Sequence, residues 1–269
     1  DSSDVWVRTS NNLQAASNGK LVEIFDHRDG THTYKWKNSY PIAHYLISVT
    51  LAEFFIYEDY FHNSETDSMQ VVHYVYPTGF DLIKPQLDKT IDMLHFFTKI
   101  FGEYPFIREK YGHAQFGWGG GMEHQTISSM GSWGDRIMAH ELAHQWFGNK
   151  VTCKNWHHIW VNEGFASYSE ALYQEYKGGK IFYDTVMFVF MDHARNAKGS
   201  VFVDDISNPS HIFNYQRSYA KGAVILHMLR GIVGDSLFFR ILQNFHNDPE
   251  LAYGIAGTED FQRIVEQTT

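Results

Sequence analysis

His140-Glu141-Leu142-Ala143-His144 and, with eighteen residues between it and His144, Glu163 constrain this 269-residue chain more than any other feature. Two histidines four apart on a helix lie on one face, one turn apart, so both imidazoles can reach the same ion. Glu141 stands about 100° round the helix from His140, where its carboxylate can take a proton from a metal-bound water. The chain has 16 histidines. At that content the five-residue pattern arises by chance in roughly one sequence in twenty, so a third donor has to decide. The segment WVNEGFASY, Trp160 to Tyr168, offers Glu163. The intervening length accommodates the end of one helix, a connection (KVTCKNW) and the start of an antiparallel helix, which returns the carboxylate to the histidine pair. His140, His144 and Glu163 then leave a fourth position open, which is the donor set of one catalytic zinc ion.

The rest of the chain supplies the frame. The segments LVEIFDH, THTYKW, AHYLISVTLAEFFIYEDYF and MQVVHYVY are rich in Val, Ile, Tyr and Phe with partial period-two alternation. The turn clusters SNGK, DHRDG and HNSETDS separate them, so the first third reads as strands of a partial β-sandwich. The period changes after Pro77. Asp81 to Gly102 carries apolar residues at helical spacing, with Pro85 expected in the first turn and glycine at the end. Lys110 to Met130 reads as short strands around a glycine run. From Asp135 onward the pattern is helical: 135–147, capped by Asp135 and ended near Gly148, then 157–176, 180–197, 216–233, 235–247 and 259–267. The expected class is α+β, with a domain break near residue 77 giving a β-domain at 1–77 and a mostly helical domain at 78–269.

Composition narrows the function classes. Aromatic residues at 16% and hydrophobic residues at 43% suit a packed globular chain. The net charge of −9, with no basic stripe, disfavours a nucleic-acid partner. No apolar run approaches the eighteen residues of a membrane span. The single cysteine, Cys153, excludes an intramolecular disulfide. The compartment stays open between the cytoplasm and export without disulfides.

HELAHQWFGN together with WVNEGFASY, preceded by GGGMEHQT, resembles the zinc aminopeptidases that include aminopeptidase N and leukotriene hydrolase. The resemblance covers nearly the whole chain. Residues 1–77 are similar to the later part of that family's amino-terminal β-domain, and 78–269 to its thermolysin-like catalytic domain. The family's enzymes are longer, which implies a fragment that binds zinc but turns over weakly or not at all, its cleft being open to water. The resemblance makes His140, His144 and Glu163 the zinc ligands and Glu141 the general base. SYAKGAVILHMLR, Ser218 to Arg230, resembles the family's Tyr-x-Lys-Gly helix and places Tyr219 as the donor to the oxyanion. GGGMEH resembles the family's Gly-x-Met-Glu-Asn motif. It implies that Glu123 pairs with a substrate's free α-ammonium while the backbone of Gly120, Gly121 and Met122 lines the peptide. The departure is His124 where asparagine is usual.

The resemblance implies a zinc aminopeptidase that hydrolyses the amino-terminal bond of peptides through zinc-activated water. A thermolysin-like endopeptidase shares the zinc machinery but has no use for GGGMEH. An epoxide hydrolase activity belongs to one branch of the family, and nothing in the sequence selects it. A non-catalytic peptide-binding or scaffold relative is the rival of a different class, one that typically loses metal ligands that are present here. His113, His193, His211 and His227 read as packing residues. So do Cys153 and the pair His157 and His158, whose side chains diverge by about 100° on a helix. Trp118, Trp133 and Trp146 read mostly as core, with Trp118 able to line a side-chain pocket. Asn162 reads as a group that orients Glu163.

Overall fold

The computed structural model describes residues 2–63 and 68–269. Most of the turn cluster HNSETDS lies outside the described residues. By contacts the chain forms two compact units, residues 1–95 with 104–145, and residues 96–103 with 146–269.

The first unit is built on sheets. Strands β1 (Ser3–Ser10), β4 (Thr31–Asn38) and β3 (Lys20–Asp26) form one antiparallel sheet in the order β1-β4-β3. Strand β2 (Gln14–Ser17) pairs with β5 (Val49–Ala52). The sequence reading contained neither β1 nor β2. Strand β2 is Gln-Ala-Ala-Ser, with little strand propensity of its own. It is extended because Ala15 and Ala16 are buried in a core with Trp36, whose indole N–H donates to the Ala15 carbonyl at 3.1 Å. The long apolar stretch expected as strand from Ala43 instead divides. It makes a 3₁₀ turn at His44–Leu46, then β5, then β6 (Phe55–His62).

Strand β7 (Ser68–Val75) is an interior strand of a five-stranded sheet ordered β6-β7-β8-β10-β9, with β8 at Lys110–Gln115, β9 at Gly121–Met122 and β10 at Ser128–Met130. It runs antiparallel to β6 and parallel to β8. Its near-continuous burial fits a strand covered on both faces. The sheet takes strands from both sides of residue 77. Helices α1 (Phe80–Leu87) and α2 (Lys89–Phe101) replace the single helix expected over 81–102. Pro85 is the sixth residue of α1, not in its first turn, because left-handed Gly79 starts the helix at Phe80. The helix breaks three residues beyond this proline, which has no N–H to offer the ladder. Helix α3 (Asp135–Ala143) completes the unit.

The second unit is helical, as the α+β reading expects. It contains β11 (Val151–Cys153), α4 (Trp160–Arg195), α5 (Pro209–Ile212), a π-helical turn at Tyr215–Lys221, α6 (Gly222–Val233), α7 (Asp235–Asn247), β12 (Gly254–Ala256) and α8 (Thr258–Thr268). Non-helical Gly179 divides α4 into the two helices anticipated there. Strands β11 and β12 pair in parallel across about a hundred residues of sequence, which local pattern could not show. Among the described residues no helix is long and apolar enough to cross a membrane.

Two packing features carry consequences. Helices α4 and α6 meet at glycines: a Cβ on Gly222 would stand 2.7 Å from the Gly164 Cα, and one on Gly164 would stand 2.8 Å from the Gly222 Cα. Gly222→Ala should therefore cost about 1–3 kcal/mol through overpacking, measured as a lower thermal midpoint with secondary structure retained. An unchanged midpoint contradicts the close approach. Second, His73 and His113 are buried side by side on β7 and β8, with their Nδ1 atoms 2.9 Å apart. Burial pushes His73 down to about 3 and His113 well below its ordinary value, whereas unfolded histidine titrates near 6.5. A folded pKa below the unfolded one leaves stability intact above about 6.5 and erodes it as pH falls from there toward the folded value. The slope is at most about 1.4 kcal/mol per pH unit per histidine. Denaturant midpoints at pH 7.5 and pH 5 should differ accordingly, and His73→Asn should flatten the difference.

Candidate active site

Helix α3 starts from Gly134, whose extended backbone delivers the chain into the first turn, and the Met138 N–H bonds to the Gly134 carbonyl at 3.1 Å. Gly134, not Asp135, is the capping position. The Asp135 carboxylate is turned to Lys89, 2.5 Å away, and adds negative charge at the positive end of the helix. The helix ends at Ala143, and His144 follows with helical backbone.

His140 and His144 are buried, with their Nε2 atoms 3.1 Å apart and their rings inclined at 78°. Two nitrogens about 2.0–2.1 Å from one tetrahedral ion stand roughly 3.3 Å apart, so the pair fits a shared metal. Glu163 lies buried in the first turn of α4. Its neighbour Asn162 accepts the Cys153 N–H at 2.9 Å, which ties the start of α4 to β11. Glu163 is the carboxylate that the spacing adds to the histidine pair. Two imidazoles and a carboxylate suit zinc, the ion that the spacing anticipates.

The glycine run brings a second set of groups to the same histidine. Ligand atoms of Glu123, Glu141 and His144, all buried, also lie within 4.8 Å of one another. Among the described residues strand β9 is the edge of its sheet, and it pairs with β10 through Met122–Ser129 and Gly121–Met130. Gly121 lies directly against Glu141. A Cβ there would stand 2.4 Å from Glu141 Oε1. Gly120 has φ of +93°, and its carbonyl accepts the N–H groups of Gly131 and Ser132 at 2.9 and 3.1 Å.

His124 turns away from a charged role. Burial pushes it down to about 4, so it is neutral near pH 7, and its Nδ1 contacts Ser129 Oγ at 2.9 Å. Thr126 has φ of +66°, uncommon for a β-branched residue. Its N–H donates to Gln145 Oε1 at 2.9 Å. Gln145 directly follows His144, so the end of the histidine helix and the Glu123 turn share a hydrogen bond. The motif HELAHQ displayed this glutamine, but its long-range partner had no local signature.

Tyr219 lies in the π-helical turn, its ring stacked 5.9 Å from that of Tyr215. A π-turn at a residue with an expected chemical role is common at functional sites. His157 stacks on Phe202 and contacts the Val203 carbonyl, while His158 contacts Thr258 Oγ1 at 3.0 Å. Trp146 is fully buried, but Trp118 is 73% exposed beside Phe116 and is not a core residue.

This architecture is shared with known metallopeptidases. An M1 zinc metallopeptidase from Deinococcus radiodurans, solved with a Tyr-Ser-Ala substrate, superposes with a TM-score of 0.86 at 24% identity, over 98% of this chain and 60% of that one. Another structure of the M1 zinc metallopeptidase from that organism gives 0.81 at 25% identity with the same coverage. The model of the peptidase family M1 domain matches residues 123–269, over half of the sequence, and the chain belongs to that family. Aminopeptidase M1-B of Oryza sativa subsp. japonica is 38% identical over 137 residues, 48% of this chain and 15% of the relative. Aminopeptidase N of Mus musculus is 36% identical over 119 residues, 40% of this chain and 12% of the relative. The matched segment is thus a small part of those relatives' length.

The contact between Gly121 and Glu141 is directly testable. Gly121→Ala must displace the carboxylate or the strand, and a misplacement of about 1 Å costs on the order of a hundredfold in rate. Any zinc-dependent peptide hydrolysis should fall by that order with circular dichroism unchanged. Gly119→Ala is the control, since its nearest neighbour, Ser132 Oγ, is 3.7 Å from the added Cβ. Equal activity of the two variants contradicts the assignment.

Proposed function

We propose that the chain carries the catalytic machinery of a zinc-dependent aminopeptidase, which removes the first residue of a peptide. The observation that carries this reading is the cluster of Glu123 and Glu141 around His144. Two carboxylates within reach of one metal-ligand candidate can do different work: one holds an amine while the other moves a proton. Zinc, held by His140, His144 and Glu163, would supply a Lewis acid that polarises the scissile carbonyl and makes its water acidic.

Glu141 accepts the proton of the attacking water and returns one to the leaving amine. Its place against the Gly121 backbone keeps the carboxylate under the edge of β9. As the outermost strand of its sheet, β9 turns one side away from β10, and an extended peptide can add to it on that side along Gly120, Gly121 and Met122. Glu123 pairs with the free α-ammonium through a charge-assisted hydrogen bond. A longer amino-terminal extension would have to pass through that carboxylate, which separates this reading from an endopeptidase. Tyr219 donates its phenolic hydrogen to the developing oxyanion.

A peptide with a free amino terminus and its N-acetylated twin form the deciding pair. Hydrolysis of the free peptide should exceed that of the acetylated one by at least about a hundredfold, given the worth of a charged pair of about 3 kcal/mol. Equal hydrolysis excludes the role of Glu123. Glu141→Gln should keep one bound zinc by elemental analysis and lose turnover by a factor of roughly a hundred or more, the scale of general-base catalysis. Retained turnover excludes Glu141 as the base.

A further inference from the structure

Outside the residues with expected chemical roles, the first unit holds a buried lysine with several polar partners. Lys110 opens β8 and is 1% exposed. Its ammonium donates to the Ser17 carbonyl at 2.9 Å, to Thr126 Oγ1 at 3.3 Å and to the Thr126 carbonyl at 3.4 Å. It also stands 5.1 Å from the centre of the Trp36 ring. A lysine taken so far from water is costly unless each proton is occupied, and here the oxygens that occupy them belong to two distant segments.

Those segments are the SNGK turn and the turn that follows Glu123. Asn18 donates to the Gln125 carbonyl at 2.6 Å and to the Leu46 carbonyl at 2.9 Å, and its Oδ1 accepts the Ser48 N–H at 2.7 Å. The Gly19 N–H donates to Thr126 Oγ1 at 2.8 Å. Gly19 has φ of +73°, and a Cβ there would stand 2.1 Å from the Lys37 carbonyl oxygen, so only glycine fits. Gln145 takes the Thr126 N–H and donates to the His124 carbonyl at 3.4 Å. The backbone from His124 to Thr126 is thus gripped from Asn18 and Gly19, from Lys110 and from Gln145. The left-handed backbone of Thr126 persists because its surroundings over-determine it.

We infer that Lys110, Asn18 and Gln145 are positioning residues for amino-terminus recognition: they clamp the Thr126 turn and thereby aim the Glu123 carboxylate. The inference rests on the proposed role of Glu123. It gives the SNGK turn, a plain chain reversal by sequence, a part in the site. Glu123 sits three residues before Thr126 with no regular element between, so freedom at Thr126 becomes freedom at the carboxylate.

The test compares binding of leucine amide with that of N-acetyl-leucine amide to the zinc-loaded chain, and follows hydrogen exchange of the amides at 123–127. In Lys110→Met and Asn18→Ala the preference for the free amine should shrink by about tenfold or more, the usual scale for groups that orient a site. Zinc stoichiometry should stay at one, and exchange at 123–127 should accelerate. A variant that is merely less stable would lose midpoint temperature and keep the preference. Thr126→Gly serves if the lysine variant does not fold, because glycine accepts the backbone angle and only the Oγ1 contacts are lost. An undiminished preference with unchanged exchange, in any variant that folds, overturns the clamp. Equal binding of the two amides by the unaltered chain removes the role of Glu123 instead. Exchange at 123–127 then still decides whether these side chains hold the turn.

Discussion

The candidate site depends on one close approach, that of the Gly121 backbone to the Glu141 side chain. A side chain at position 121 would occupy the space of the carboxylate. Glycine there lets an edge strand lie on the helix that carries both histidines, so one short segment meets two demands. It buries the proposed base, and it places the outermost strand of the sheet beside it. A base under an extended substrate must be both covered and within reach. A bulkier strand could cover the carboxylate only by holding the peptide further from it.

A second glycine contact does comparable work in the helical unit. Gly164 follows Glu163 directly, and Gly222 lies three residues after Tyr219. Since neither glycine has room for a Cβ against the other, the first turn of α4 and the end of the π-helical turn are held in close approach. The proposed third ligand and the proposed oxyanion donor are therefore fixed relative to each other by backbone packing rather than by flexible side chains. The extra residue of the π-turn also shifts the residues before Gly222 round the helix axis. A helical pattern over 216–233 shows the helix, but not this shift.

What was legible in the sequence follows from how local its cause is. His140, His144 and Glu141 share one helix, and helical period alone puts the two imidazoles together. The glycines around Met122 announce a place where backbone comes close to something, without saying to what. Strands β3, β4, β6 and β7 carry enough β-branched and aromatic residues to declare themselves. Strands β2, β11 and β12 do not, because their partners lie far off in sequence and their own residues are ambiguous. Lys110 is the clearest case of hidden information. A lysine at the head of a strand reads as a solvated end, yet it is buried on oxygens contributed from residues 17 and 126. Long-range polar partners leave no periodicity, and so the network around Glu123 has no trace in the local sequence.

His124 shows how a departure from a family pattern can be absorbed. In place of asparagine, an imidazole introduces a group that could carry charge one residue from Glu123, where a cation would compete with a substrate's ammonium for the same carboxylate. Burial removes that possibility near neutral pH by holding the ring down to about 4. The neutral ring keeps a polar edge, and Nδ1 uses it on Ser129 of β10, the residue paired with Met122 across the sheet. The His124 N–H meanwhile donates to the Met122 carbonyl at 2.9 Å, and its own carbonyl accepts from Ile127 at 3.1 Å. Side chain and backbone together close the turn on both sides of Glu123. The polar contact expected of an asparagine here is thus supplied by histidine, provided the site stays dry enough to keep it uncharged.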